Sequence, residues 1–293
     1  MKNIFDEKIE EFKKSSTQTT AEVVTSTKDS LLSFVAPIET VDLPSKGYFY
    51  DPRHPLHHKS SLEIKQMTAK EEDILTNKGY IKKGILIDKL LESILIDKTI
   101  PVSSLLLGDK NAIMVAARIS AYGPNYDVGV LCTECGEKNL LNINLHEIES
   151  QDIDKITEEN VKNLNLEIES LIDGKIFIKL PKTKWTVECK YMTGAEERQI
   201  FSMLESRKKI DPNSDLAISE QLKFIVCGLN GSNNEELIKS AIDIMPAGDA
   251  KLLRSVYQKI IPDIKIKKVF SCRSCFKEQE TEVPFTQEFF WPK

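Results

Sequence analysis

The residues of this chain best suited to chemistry are two Cys-x-x-Cys pairs, Cys132-Thr-Glu-Cys135 and Cys272-Arg-Ser-Cys275. Thiolates are soft ligands, and four of them fill the tetrahedral shell of a structural zinc. Each pair lies between two strand-like runs, residues 126–131 and 138–145 around the first and 265–271 and 278–284 around the second. That is the pattern of a zinc ribbon, in which the tips of two hairpins each give two sulfurs. Cys132, Cys135, Cys272 and Cys275 are therefore the expected metal ligands and Zn2+ the expected structural cofactor. Four thiolates leave no open coordination position, so catalysis at the metal is not expected. A disulfide or redox pair, and cysteines unrelated to one another, are the competing readings. Gly136 suits the tight turn after Cys135 because glycine tolerates positive φ. Phe276 holds the matching place in the second pair, which predicts a looser turn there. Cys189, in a strand-like stretch, and Cys227, in a helix-like one, read as small buried hydrophobes.

Other chemistry-bearing groups have plainer explanations. His54, His57 and His58 share a Pro-rich segment with no cysteine nearby and no helical i, i+4 spacing, so a solvated loop is expected. His146 reads as a surface residue. Glu71-Glu72 and Glu196-Glu197 fall in the first turns of expected helices, where capping and the helix dipole account for them. No phosphate-binding glycine loop, nucleophile elbow or His-Glu-x-x-His is present. No catalytic residues, cofactor-binding residues or small-molecule substrate are expected, and the chain reads as a non-enzyme.

The elements that would position the cysteines occur twice along the chain. A strand-like run reaches Leu43-Pro-Ser-Lys in the first copy and Leu180-Pro-Lys-Thr in the second. A further strand follows in each, at residues 61–66 and 185–191. Met67-Thr68-Ala-Lys-Glu71-Glu72 and Met192-Thr193-Gly-Ala-Glu196-Glu197 then repeat at an offset of 125, each reading as a capping box. Two helices are expected after each, at residues 69–77 and 83–97, then 195–207 and 216–229. Gly108-Asp109 and Gly248-Asp249, offset by 140, each open a further helix (110–121 and 250–260) with aspartate as the expected N-cap. A Cys-x-x-Cys closes each copy at the same offset, and the drift between offsets falls around residues 208–214 and 232–245. Between the copies, residues 147–165 carry one expected short helix at 157–163, and Asp173-Gly174 marks a hairpin turn. Arg118 with Tyr122, Gly123 and Tyr126 reads as a helix C-cap with two packing tyrosines, an interface role for Tyr122 and Tyr126 being the alternative. Tyr48, Phe49 and Tyr50 beside Gly47 read either as interface anchors or as core.

Composition bounds the remainder. The chain has 293 residues, 40 basic and 45 acidic, for a formal charge of −5. That balance does not advertise a nucleic-acid partner. The amino terminus lacks the apolar segment of a secretory signal, and no apolar run reaches the length of a membrane anchor. Folding in a cytosol is expected, where paired cysteines bind metal more often than they form structural disulfides. Residues 1–35 are charged and then Ser/Thr-rich, and read as a flexible N-terminal arm with one helix at 5–14, either a floppy tail or a segment that orders on a neighbouring subunit.

Leu43-Pro-Ser-Lys-Gly-Tyr-Phe-Tyr, Met67-Thr-Ala-Lys-Glu-Glu-Asp-Ile-Leu and Leu106-Leu-Gly-Asp-Lys-Asn-Ala-Ile carry a resemblance. Arg118-Ile-Ser-Ala-Tyr-Gly-Pro-Asn-Tyr-Asp-Val-Gly-Val-Leu-Cys-Thr-Glu-Cys continues it. Over residues 41–145 the sequence resembles the baseplate hub and hub-assembly proteins of T4-like contractile-tailed bacteriophages, more diffusely so over the second copy. The resemblance implies a non-enzymatic protein whose partners are other hub and baseplate proteins. It would act in the host cytoplasm during assembly, either as a component of the virion tail baseplate or as a chaperone that leaves.

The expected architecture is α+β: two divergent copies of a strand–helices–strand unit joined by a split four-Cys zinc ribbon. Its parts are a flexible arm (1–35), a first repeat ending in one knuckle (36–146), and a linker with a second repeat ending in the other (147–293). The expected role is scaffolding of a central baseplate hub. The rival is a zinc-ribbon nucleic-acid-binding accessory protein, using Lys138, Arg273, Lys277 and the strand Lys265-Ile-Lys-Lys268 as a phosphate-binding face.

Overall fold

In the computed structural model, residues 37–155, 175–208, 218–283 and 287–290 are described. The arm, its expected helix at 5–14, the helix at 157–163, the Asp173-Gly174 turn and most of the 208–214 segment lie outside the described residues. The chain belongs to the α+β class, with helices beside four small antiparallel sheets among the described residues.

Two hairpins begin the two halves of the described chain. β1 (Ile38–Asp42) pairs with β2 (Ser61–Lys65), and β6 (Ile176–Lys179) pairs with β7 (Thr186–Cys189). In β6 the alternation buries Ile176 and Ile178 and exposes the residues between, as a half-buried strand requires. The first hairpin leads into α1 (Ala69–Leu75), α2 (Lys78–Lys83) and α3 (Leu86–Ile94). The helix expected at 83–97 is shorter, spanning Leu86–Ile94, and the unexpected short α2 before it is ended by Gly84. That residue is a left-handed C-cap at φ 67°, and a Cβ there would fall 2.3 Å from the Phe201 ring. The second hairpin leads into α5 (Gly194–Lys208) and α6 (Ile218–Ile225). The expected helix at 216–229 ends early, because Val226–Leu229 forms β8 on the edge of β7. Cys227 therefore sits in a strand, half-buried, and Cys189 is fully buried beside it.

Each half then runs a long helix into a long hairpin. α4 (Leu107–Tyr122) precedes β3 (Asn125–Leu131) and β4 (Lys138–Asn144). After α7 (Glu235–Asp243), α8 (Ala247–Ile260) precedes β9 (Asp263–Ser271) and β10 (Glu278–Val283). Asp109 and Asp249 are not N-caps, as the sequence suggests; Leu106 and Pro246 hold that position. Each aspartate stands in the first turn and turns its carboxylate outward to a Leu-Pro loop. Asp109 accepts from the Ser45 amide (3.0 Å), the Ser45 hydroxyl (2.6 Å) and the Tyr50 hydroxyl (2.7 Å). Asp249 accepts from the amides of Lys182 (3.1 Å) and Thr183 (2.9 Å) and from the Thr183 hydroxyl (2.9 Å).

The capping boxes match as closely. Glu71 accepts from the Thr68 amide at 2.9 Å and from Lys65 Nζ at 2.8 Å. Glu196 accepts from the Thr193 amide at 2.9 Å and from Lys190 Nζ at 2.8 Å. In both, a lysine leaving the hairpin locks the first helix to it.

The halves share one apolar core. Phe49 stacks on Tyr191 with centroids 4.0 Å apart. The Leu107 amide donates to Met192 O (3.0 Å) and the Gly194 amide to Leu105 O (2.9 Å). Asp88 of α3 and Lys110 of α4 form a buried ion pair at 3.0 Å, to which α5 adds Arg198 on Asp88 (3.3 Å) and Glu197 on Lys110. Breaking one partner of such a buried network costs more than the network itself adds. Strand β5 (Glu149–Gln151), just past the first ribbon hairpin, pairs with β9 of the second. Near the end of the chain, Phe289 and Phe290 are fully buried, and Arg118 donates from Nε to Phe289 O (2.9 Å).

Candidate metal centre

The two Cys-x-x-Cys segments are the tips of β3–β4 and β9–β10. Paired strands fix the register up to Leu131↔Lys138 in the first hairpin and Ser271↔Glu278 in the second. In the first turn the Cys132 amide donates to Glu137 O (2.8 Å) and the Gly136 amide to Cys132 O (3.0 Å). In the second, the Cys272 amide donates to Lys277 O (3.0 Å) and the Phe276 amide to Cys272 O (3.0 Å). The looser second turn that Phe276 suggests is not found. Phe276 adopts φ 58° where Gly136 adopts 73°, so the phenylalanine accepts the left-handed conformation the turn demands.

The tips meet. The four sulfurs all lie within 4.8 Å of one another, and Cys132–Cys275 and Cys135–Cys272 are each 3.6 Å apart. A tetrahedral zinc with Zn–S of about 2.3 Å places its sulfurs about 3.8 Å apart. A disulfide needs about 2.05 Å, and all six cysteines are free thiols. The spacing thus suits four sulfurs around one ion. Two donors near the sulfurs fit an anionic cluster as well. Asn139 Nδ2 points at Cys272 Sγ (3.7 Å), and the buried Gln279 Nε2 has no hydrogen-bond partner of its own.

Backbone amides also favour charge on the inner sulfurs. Those of Cys135 and Glu134 hold the Cys132 thiol down to about 6. Those of Cys275 and Ser274, with Asn139, hold Cys272 below the usual thiol range. Cys135 is held up at about 12: the Glu137 amide favours its thiolate, but partial desolvation at the junction and the neighbouring sulfurs outweigh it. Cys132 and Cys272 are buried and Cys135 and Cys275 exposed. Across the junction Lys277 pairs with Glu134.

The other sequence candidates take different places. His54 and His57 are half-buried rather than solvated. His54 Nε2 meets Ser104 Oγ (2.7 Å) and its ring stacks on Tyr50, while His57 Nδ1 meets Tyr50 O (2.8 Å). His58 and His146 are exposed. Tyr126 is buried against Phe289, and Tyr122 donates to Glu72 (3.0 Å). Gly123 C-caps α4 at φ 82°, as its position suggests. Tyr50 is in the core, and Tyr48 is exposed. A cleft of about 320 Å³ is lined by Lys190, Lys223 and Lys239 among others. Each of the three is already ion-paired, with Glu196, with Glu220 and Asp243, and with Glu235 respectively. Sequence reasoning missed Asn139 and Gln279. Their only signal is a carboxamide at an inward-facing strand position four residues past each pair.

A model of the family described as T4 bacteriophage base plate protein matches residues 35–291, and the chain belongs to that family. It is accordingly a structural protein of the phage baseplate. Neither the curated proteins nor the solved structures gave a match. Among the described residues no helix is long and apolar enough to cross a membrane.

Proposed function

We propose that this protein scaffolds the central hub of a contractile phage tail, with a structural zinc clasping its first and second halves together. The observation that carries the reading is the convergence of Cys132, Cys135, Cys272 and Cys275 within one ligand radius, in a chain of the baseplate family. Because the ligands come from hairpins far apart in sequence, the ion is a cross-link between residues 36–146 and residues 147–293. These two segments are divergent copies of one unit. Support comes from the matched element order and from the paired devices Glu71/Glu196 and Asp109/Asp249. Binding free energy at such a site is folding free energy, since the unfolded chain has no site. The bound ion is passive, and the work is done by protein surfaces, including residues 1–35 as an arm that engages neighbouring hub proteins.

The nucleic-acid reading is less well supported. Lys277 is engaged by Glu134, and Lys267 lies opposite Glu282 in the ribbon, so the basic face is interleaved with acids. The test is to purify full-length protein from infected cells and identify what accompanies it, and to look for the chain in finished particles by mass spectrometry. Hub and baseplate proteins are the expected companions, and the chain in the virion would make it a component rather than a chaperone. Salt-sensitive retention on DNA or RNA with no baseplate companion would overturn the reading.

A further inference from the structure

The two hairpins do more than present sulfurs to one another. Asn139 lies four residues beyond Cys135, and Gln279 lies four residues beyond Cys275. Each reaches across the junction to the opposite tip. Asn139 Oδ1 accepts from the Arg273 amide (2.9 Å), the first residue between the cysteines of the second pair. Gln279 Oε1 accepts from the Thr133 amide (3.1 Å) and hydroxyl (2.8 Å), the first residue between the cysteines of the first pair.

A carboxamide whose oxygen is fixed by a backbone N–H must turn its nitrogen the other way. In Asn139 that nitrogen donates to Glu137 O (3.0 Å) and faces Cys272 Sγ (3.7 Å). In Gln279 the nitrogen is buried and unpartnered, while the oxygen is held by Thr133, the residue next to Cys132. Asn139, itself buried, thus turns its nitrogen to the buried sulfur of the opposite pair, and Gln279 holds the matching place on the other hairpin with its nitrogen still free. A buried N–H with no acceptor is costly. A thiolate carrying the negative charge of a four-sulfur metal centre is the acceptor that would relieve it.

We infer that Asn139 and Gln279 are reciprocal positioning residues of the metal centre, each binding the opposing tip and giving its amide N–H to a ligand sulfur there. The inference rests on the metal reading above. Groups that orient the ligands of a metal typically change its affinity by about 10–100-fold when replaced.

Asn139→Asp and Gln279→Glu test it, because each keeps the oxygen that accepts from Arg273 or Thr133 and loses the N–H. Asn139→Leu and Gln279→Leu, which carry no charge, separate loss of the N–H from added repulsion. The full-length protein is loaded with zinc, the metal is titrated against a chelator, and the sulfur-to-metal charge-transfer band is recorded after exchange to Co2+. Weaker zinc binding by about 10–100-fold together with a shifted cobalt band, in both the acidic and the leucine variants, is the expected result. Affinities within about twofold of wild type and an unmoved band would overturn the assignment, even if the variants melted earlier. A wild-type chain that takes up neither zinc nor cobalt would instead overturn the metal reading itself, and this assignment with it.

Discussion

The Gly136 tip and the Phe276 tip reach one geometry from different residues. Both close the same pair of backbone hydrogen bonds, and both hold the residue after the second cysteine at positive φ. Glycine does this freely, whereas phenylalanine pays roughly 1–2 kcal/mol for its Cβ. Gly136 needs only the dihedral, since a Cβ there would meet nothing within 4 Å. The difference teaches that turn shape here follows from where the sulfurs must go and from the strands that feed the turn. Local preference is overridden where paired strands from distant parts of the chain bring their tips together.

The strongest way to break the equivalence of the tips is to remove one ligand from each. Cys132→Ser and Cys275→Ser should each lose the metal and several kcal/mol of stability together, read by zinc content and by denaturant unfolding. A large loss for one and none for the other would show that the halves do not share a centre.

The next contrast sets Asp109 against Asp249. Burial raises the Asp109 carboxyl above the usual range, and the Ser45 and Tyr50 hydrogen bonds oppose it. For Asp249 burial also acts upward, but the Thr183 and Lys182 amides outweigh it and hold the group low. Asp109→Ala strands three buried donors and should cost about 3 kcal/mol. Asp249→Ala, whose loop is closer to solvent, should cost less. Equal urea midpoints for the two variants would refute that ranking.

Glu71 and Glu196 sharpen the comparison through pH. Burial works against the charge on Glu71, yet Lys65, Ser93 and Thr68 hold its carboxyl down to about 2. Glu196 is lowered through Lys190 and Thr193. A carboxyl depressed in the folded state contributes stability above its unfolded value near 4.3. That contribution is lost as pH falls toward the folded value. Stability should therefore decline between about pH 5 and 2. Glu71→Gln should remove on the order of 1–2 kcal/mol of that slope, after allowing for the water that reaches Lys65. Glu196→Gln should remove less. An unchanged pH profile in Glu71→Gln would contradict the role given to its charge. The smallest effect belongs to Phe276→Gly, expected to gain about 1 kcal/mol or less once the extra freedom of the unfolded chain is counted. A loss would mean that the ring, although exposed, packs where it matters.

Much of this was legible because it is local. Cys-x-x-Cys inside alternating strands, Thr-x-x-Glu before a helix and Gly123 after one are short patterns with one physical meaning each. What escaped reading depends on partners distant in the chain. Nothing near Asp109 says that its carboxylate serves Ser45 and Tyr50 rather than its own helix. Val226–Leu229 carries a helical pattern and becomes a strand because β7 offers an open edge. Asn139 and Gln279 look like ordinary polar strand residues until the opposite hairpin is in place.

The most direct test of the clasp is the metal content of the full-length protein, measured by native mass spectrometry with the folded state checked on the same sample. One zinc per chain, lost in Cys132→Ser and in Cys275→Ser alike, is the predicted result. A folded wild-type chain with no bound zinc, or one that keeps its zinc after either substitution, would contradict it.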